Sequence, residues 1–330
     1  MDWTLAKTRR MTGLARRTIA RTAIRRNRVS RDGVVVPEGG GALLIDKPAG
    51  PTSHDVVSWA RKSLGVRRIG HTGTLDPFAS GLLILLVGPV TRLAEYLGVL
   101  SKRYEARARL GIRTDTHDAE GKAVAVQDFG AELTREKIEA ELATFEGRGR
   151  QVPPQFSAKK VGGERMYRRA RRGDTVQLAP VDVEIFEIRL TDFAPPEVDF
   201  TMACSSGTYV RAVARDLGDR LGVGAHLTAL RRIAIGGFSV DRAIPGERLR
   251  EGLPVDSTHW VEPATTVGHL ATVHVEAGAA SRLFHGQAIP WSEEPHPETG
   301  SPVAVVDETG LIGIAEIRNG HLSPKKILTR

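Results

Sequence analysis

The chain has 330 residues, 41% of them hydrophobic and 26% charged, enough to bury a substantial core and ordinary for a globular protein. Its longest apolar run, residues 82–87, falls far short of the ~18 residues that cross a bilayer, and a single cysteine, Cys204, excludes an internal disulfide or a multi-cysteine zinc site. The net charge of +8 resides in the first 32 residues, with ten Lys/Arg against two Asp/Glu; the remainder carries 37 of each, so bulk charge identifies no partner for the folded body.

Residues 1–40 read as a basic, disordered extension that ends in Pro37, Glu38 and three glycines. An RNA-contacting arm, an organellar transit peptide and an over-extended gene start all share this composition. Residues 43–45 read as a buried strand running into a turn at Asp46, Lys47 and Pro48. A helix is predicted from Thr52 or Ser53, whose hydroxyl can cap its free amides, with Val56, Val57, Ala60 and Leu64 on one stripe and Gly65 as its stop. A glycine-rich loop then spans 70–81, followed by a buried strand at 82–87 and a helix from Pro89 to Gly98. Tyr104, Ala106, Ala108 and Leu110 alternate with charged residues, the period of a half-buried strand. The stretch 115–120 reads as a hairpin turn, since its acidic and histidine side chains match no metal-loop spacing. A helix around Ile138, Leu142 and Phe145, strands at 181–190 and 198–204 with Cys204 buried, and a helix over 208–221 follow. Residues 250–323 hold ten acidic and three basic side chains, and short apolar strands at 303–306 and 311–317 flank a tight turn, the texture of a small β-domain.

Three residues stand out. Asp76 lies among Gly70, Gly73, Pro77 and Gly81, where a backbone can approach a ligand, although an Asp before proline also commonly bonds its own turn. Arg211 falls in the first turn of its helix, where a cation opposes the macrodipole at a cost of roughly 0.3–1 kcal/mol; it either meets an anion or snorkels to solvent. Tyr104 reads as a core aromatic with its hydroxyl at a rim. Nine Lys/Arg between Arg148 and Arg172, against Glu164 alone, suit either a phosphate backbone near Tyr167 or a solvated face. No phosphate-binding loop, dinucleotide fingerprint or nucleophile elbow occurs.

In order along residues 41–235, LLIDKPAGPTSHDVV, RRIGHTGTLDPFASGLL, KRYEA, RLGIRTDTHDAEG, QVPPQFSAKKVGG, CSSGTYVRAVARDLG and GAHLTALRR resemble the TruB family of tRNA pseudouridine synthases. The C-terminal part, with LFHGQAIP, is similar to a PUA domain, a small RNA-binding β-barrel. The resemblance implies an α+β fold: a mixed, mainly antiparallel sheet flanked by helices in a catalytic domain over 41–260, then a PUA-like β-barrel over 261–330. About 130–175 would grip the T-arm. It implies isomerisation of uridine 55 in the TΨC loop of tRNA to pseudouridine, with no cofactor and no metal. Asp76 falls on the family's catalytic aspartate, Tyr104 on its active-site tyrosine and Arg211 on the arginine paired with the aspartate. As substrate-binding positions, Lys47 and Pro48 match the KP motif, His71 the base-flipping histidine, and Tyr209 and Leu230 the pocket lining. The expected partner is tRNA, for a monomer without an obligatory protein partner or membrane contact, in the cytoplasm, with organellar targeting by the extension left open. A tRNA-elbow folding chaperone and the catalytic subunit of an RNA-guided pseudouridylation complex are the competing classes.

The chemistry is coherent with those residues. A stacked uridine must be extruded at a cost of a few kcal/mol. A carboxylate then attacks C6 or C1′, or removes the C2′ proton to give a glycal, and the sequence leaves these three routes open. An unperturbed Asp, with pKa ≈ 3.9, is already ionised, and Arg211 is expected to keep Asp76 charged beneath the base. The extension departs from the family pattern, and a charge of −7 over 250–323 is unusual for an RNA-binding module.

Overall fold

The apolar run at 82–87 is fully buried along its whole length, so both of its faces are covered, and the molecule is laid out around it. The computed structural model describes residues 27–29, 35–130, 132–156, 160–161, 164–165, 178–292 and 299–328. Most of the basic extension, and most of the basic run between Arg148 and Arg172 with Tyr167, lie outside the described residues.

In chain order the elements are β1 (Gly41–Lys47), α1 (Ser53–Leu64), β2 (Ile69–His71), β3 (Ser80–Val87), α2 (Ala94–Gly98), β4 (Lys102–Leu110), β5 (Ile112–Thr114), β6 (Ala123–Val126), α3 (Arg135–Ala143) and β7 (Gly147–Gln151). Then come β8 (Val181–Ala194), β9 (Glu197–Cys204), α4 (Val210–Arg220), β10 (Ala225–Ile235), β11 (Ile244–Pro245) and β12 (Trp260–Val261). The C-terminal part contains β13 (Ala271–His274), α5 (Ala277–Phe284), β14 (Ile289–Pro290), β15 (Pro302–Asp307), β16 (Gly310–Arg318) and β17 (His321–Ile327).

The main sheet has eleven strands, eight of them along the path β11–β1–β3–β10–β4–β9–β8–β7, with β2 on β3, β12 on β1 and the two-residue strand Phe238–Ser239 on β10. Strand β10 runs parallel to β3, and β11 parallel to β1; the other pairings on the path are antiparallel, which is the mixed, mainly antiparallel sheet expected. Along β4 the alternation holds: Tyr104, Ala106, Ala108 and Leu110 are buried, while Arg103, Glu105 and Arg107 face outward. On the outer face Arg107 and Arg109 pair with Asp199 and Glu197 directly across the strand boundary, contacts each worth roughly 0.2–1 kcal/mol.

The second sheet, β13–β15–β16–β17–β14, is five-stranded, open-ended and curled as a half-barrel. Trp260 and Val261 still pair with β1, whereas Ala271 pairs with Val303 in the second sheet. One apolar layer joins the sheets, packing Leu44, Leu82, Ile84 and Leu86 with Val267, Ala304, Ile314 and Leu328.

Helix α1 begins as predicted. Thr52 accepts the Asp55 amide at 3.1 Å while Asp55 accepts the Thr52 amide at 2.8 Å, a reciprocal cap worth ~1 kcal/mol, and Gly65 ends the helix in the left-handed region. Four local expectations differ from the structure. The predicted loop over 70–81 is shorter, because Ile69–His71 pairs with Val87, Leu86 and Leu85 at the edge of β3; pairing overrides the glycine signal. The predicted helix from Pro89 to Gly98 is a 3-10 turn (Gly88–Leu93) followed by α2, since Val90 and Leu93, three residues apart, are both buried. Helix α4 starts at Val210, with Tyr209 extended as its cap. Within the extension read as disordered, Asn27–Val29 pairs antiparallel with Val35–Pro37, where β-branched valines favour strand.

Helix α4 lies close on the start of β10, and Gly218 makes that possible. A Cβ at this position would sit 2.2 Å from the Ala225 nitrogen, which is backbone and cannot swing away. Gly218→Ala is therefore expected to destabilise the protein by roughly 2–3 kcal/mol. Thermal unfolding measures this, and an unchanged Tm would show that the helix can shift freely.

Candidate active site

Asp76 sits in the turn between β2 and β3, and its two chain neighbours are held by polar side chains from elsewhere. Ser53, in the first turn of α1, donates to the Leu75 carbonyl at 3.1 Å and accepts the Leu75 amide at 2.9 Å. Lys47, at the end of β1, is fully buried and donates to the carbonyls of Pro48 (2.8 Å), Pro51 (2.8 Å) and Pro77 (3.2 Å). All three ammonium hydrogens thus have backbone acceptors. Burial pushes Lys47 down to about 8, opposed by the charge of Asp76.

Arg211 projects from the first turn of α4 with 4% of its side chain exposed. Its Nη2 donates to Asp76 Oδ1 at 3.1 Å, and its Nε lies 2.9 Å from Oδ2. Its Nη1 lies 3.1 Å from Asp118 Oδ2 and donates to the Thr116 carbonyl at 2.9 Å; Nη2 also donates to the Phe156 carbonyl at 2.7 Å. The anion that a cation in this position calls for is a pair of carboxylates, and the snorkelling alternative is ruled out by burial.

Asp118 was not singled out in the sequence. The stretch 115–120 does form the predicted turn, between β5 and β6. His117 adopts φ 61°, and Asp118 then bridges to Leu227 with its side chain turned to Arg211. Thr116 Oγ1 (2.5 Å) and the Glu120 amide (3.1 Å) donate to Asp118 Oδ1. Nothing local marks this Asp, because its partner is distant in sequence. Desolvation, reinforced by Arg215 and Arg211, lowers His117 to about 4, so its ring is neutral near pH 7.

The Arg211 cation is shared by two carboxylates and leaves one negative charge in excess. Burial raises the Asp76 carboxyl above its ordinary value, Arg211 opposes the rise, and Asp118 adds to it. The sequence predicts an ordinary acid held ionised by its arginine; in the folded site desolvation is the larger influence. Asp76 still opens outward, with 33% of its side chain exposed.

Leu75 and Val210, the residues preceding Asp76 and Arg211, belong to the same buried apolar cluster as Tyr104 and Leu230. Burial raises the Tyr104 phenol above its usual range. Tyr209 is fixed by its backbone: the Gln151 amide donates to its carbonyl at 3.1 Å and accepts its N–H at 2.8 Å, a second contact the sequence did not reveal. Pro48 follows β1, and His71 ends β2; both are half-buried on the backbone flanking the turn. Cys204 is buried on β9 with its thiol pushed up to about 11, which makes it unreactive.

Comparison with known proteins bears on this arrangement. The family model "TruB family pseudouridylate synthase (N terminal domain)" matches residues 61–210. "tRNA pseudouridylate synthase B C-terminal domain" matches 211–258, and "Pseudouridine synthase II TruB, C-terminal" matches 271–328. The chain is 42% identical over 294 residues to tRNA pseudouridine synthase B of Thermobifida fusca, covering 86% of this chain and 97% of that one. It is 39% identical over 291 residues to the Burkholderia lata protein of the same name, covering 87% and 90%. Among solved structures, a chain from a Cbf5-Nop10-Gar1 complex aligns with a TM-score of 0.66 at 24% identity over 88% of this chain and 85% of that one. A chain from an H/ACA RNP bound to a substrate RNA containing 2'-deoxyuridine gives 0.66 at 22%, over 88% and 86%. At such identities the two structures show a shared fold alone.

The burial of Lys47 has a measurable consequence. Its folded pKa, about 8, lies below the ordinary lysine value of 10.5, so between these values the unfolded chain binds more protons and the lysine's contribution to stability rises with pH. Relative to Lys47→Met, the wild-type protein is expected to gain roughly 2 kcal/mol between about pH 7.5 and 10. Paired denaturant titrations read this difference, and a gap independent of pH would contradict it.

Proposed function

The chain belongs to the TruB family of pseudouridylate synthases, and on that premise we propose that it isomerises uridine 55 in the TΨC loop of tRNA to pseudouridine, with Asp76 as catalytic carboxylate. The observation that carries this reading is a half-open carboxylate, paired with a buried arginine, beside an apolar wall that includes Tyr104 and Leu230. A flipped uracil has a flat apolar face and a polar edge, and such a wall suits the face.

In the proposed reaction Asp76 assists by attacking C6 or C1′ or by removing the C2′ proton. The N1–C1′ bond breaks and the C5–C1′ bond forms; a proton leaves C5 and one is taken up at N1. The conversion is an isomerisation without change of oxidation state, so the reading requires neither cofactor nor metal. Arg211 keeps the carboxylate ionised and aimed, and its own sharing with Asp118 fixes it in turn. Partial desolvation strips water from the Asp76 oxygens, which favours their reaction with a carbon centre. We assign Tyr104 to the face of the flipped base and to relaying the C5 proton, its oxygen receiving that proton as its own hydrogen passes on to solvent; Tyr209 and Leu230 are assigned to lining the pocket, and His71 to the space the base leaves. With its three hydrogens committed to carbonyls, Lys47, together with Pro48, is assigned to holding the Asp76 turn under the substrate.

We take residues 41–260 as the catalytic unit and 261–330 as the PUA-like unit, acting as a monomer on free tRNA. No helix among the described residues is long and apolar enough to cross a membrane, and the proposed setting is the cytoplasm. Arg148 and Arg150 are exposed on β7, with Glu184 and Asp182 at 3.6 Å and 3.9 Å, loose pairs that phosphates can displace.

The test is a bare T-arm stem-loop labelled at uridine C5. Hydrogen release without guide RNA is the expected result; binding without release would favour a chaperone, and release only with a guide a ribonucleoprotein. Asp76→Asn is expected to bring release to background while the stem-loop still binds, and substantial turnover by that variant would overturn the assignment. Replacing Arg148, Arg150 and Arg165 by Gln should reduce the slope of log affinity against log salt by about 2. An unchanged slope would place the phosphate contacts elsewhere.

A further inference from the structure

A second buried arginine lies beside the site with no carboxylate in an ion pair with it among the described residues. Arg232, on β10, is 1% exposed. Its Nε donates to the Leu82 carbonyl at 2.8 Å and its Nη2 to the Gly73 carbonyl at 3.1 Å. Tyr104 is its direct partner across the β4–β10 ladder, both side chains are buried, and the Arg232 charge opposes the rise that burial gives the phenol.

A buried cation without a counter-charge is a poor way to fill a core, since an apolar side chain of similar length would occupy the same volume without desolvation of charge. The contacts supply another reason for an arginine. Gly73 and Leu82 lie at the two ends of the turn that carries Asp76, so one guanidinium ties that turn across its base. The turn is shaped for this approach. Gly81 has φ +102°, and a Cβ there would lie 2.3 Å from the Arg232 carbonyl oxygen, so only glycine lets the two backbones meet. A guanidinium only donates, so toward Arg232 the Tyr104 oxygen can act only as an acceptor. The charged and titratable groups that face Tyr104 are Arg232, Cys204 and Asp76; Lys102, two residues earlier on β4, gives its hydrogens to the carbonyls of Gly98 and Leu100.

We propose that Arg232 is a positioning residue for the isomerisation, holding the Tyr104 hydroxyl and the Asp76 turn in one fixed relation through a single guanidinium. It touches neither the base nor the sugar. Its effect passes through the two groups that do, and the inference therefore rests on the roles assigned above to Asp76 and Tyr104.

The experiment is a double-mutant cycle in single-turnover hydrogen release from the C5-labelled stem-loop, using Arg232→Met and Arg232→Lys, each with and without Tyr104→Phe. Arg232→Met is expected to slow release by about 100-fold with stem-loop affinity unchanged, and Arg232→Lys, which keeps charge and stem, to recover part of the loss. In the Tyr104→Phe background the further loss should shrink to about 10-fold, the part that passes through the Asp76 turn alone. A second readout is independent of turnover. The titration of Tyr104, isolated by near-ultraviolet difference against Tyr104→Phe, should move to higher pH in either Arg232 variant, and it serves with Arg232→Lys alone if the methionine variant does not fold. Losses that multiply in full, or an unmoved phenol titration, would overturn the proposal. Turnover by Asp76→Asn would instead overturn the reading on which it rests, and the two failures are distinguished by that variant.

Discussion

A guanidinium buried at the start of a helix is in an unfavourable place twice over. The macrodipole opposes its charge, and removing it from water costs several kcal/mol. Arg211 persists there because acceptors converge on it from three separate stretches: Asp76 from the turn before β3, Asp118 and the Thr116 carbonyl from the β5–β6 hairpin, and the Phe156 carbonyl from the segment after β7. The dependence is mutual. Without the arginine, Asp76 and Asp118 would face the same desolvated space with no cation between them, so the guanidinium that organises the site also opposes the rise that burial gives Asp76.

The same economy recurs around that centre. Ser53, Lys47 and Gln151 each use a side chain to satisfy backbone groups of a segment that is not in regular structure, and those segments carry Asp76 and Tyr209. An irregular turn buried against a core carries amides and carbonyls that need partners. Supplying them from side chains on strands and helices transfers the rigidity of the sheet to the turn. The geometry of Asp76 is thus set by the main sheet rather than by the eight residues around it, which is a condition for positioning a reactive group before substrate arrives.

What could be read from the chain follows the range of the interactions. The buried run of β3, the alternation along β4 and the capped start of α1 are local patterns, and each occurs where periodicity placed it. Asp76 and Arg211 drew notice through a glycine-rich turn and an unfavourable helix position, and the structure brings them together across 135 residues of sequence. Asp118, Gln151 and Arg232 carry no such local mark. Arg231 and Arg232 are adjacent and identical in type, yet one lies half-exposed on Asp46 and the other is buried beneath Tyr104. The alternation of a strand requires that one of the two point inward, but only the contacts of β3 and β4 with β10 decide which. His71 was read in a loop for the converse reason: its strand is three residues long and exists only because β3 has an edge to pair with.

The apolar layer shared by the two sheets sets a length as well as a boundary. With Leu44, Ile84 and Leu86 packed in the same layer as Ala304, Ile314 and Leu328, any swing of the curled C-terminal sheet would have to expose apolar surface. An RNA in contact with both the Asp76 pocket and that sheet must then bridge a constant span, and the distance from its target base to its second point of contact is gauged before any base is read.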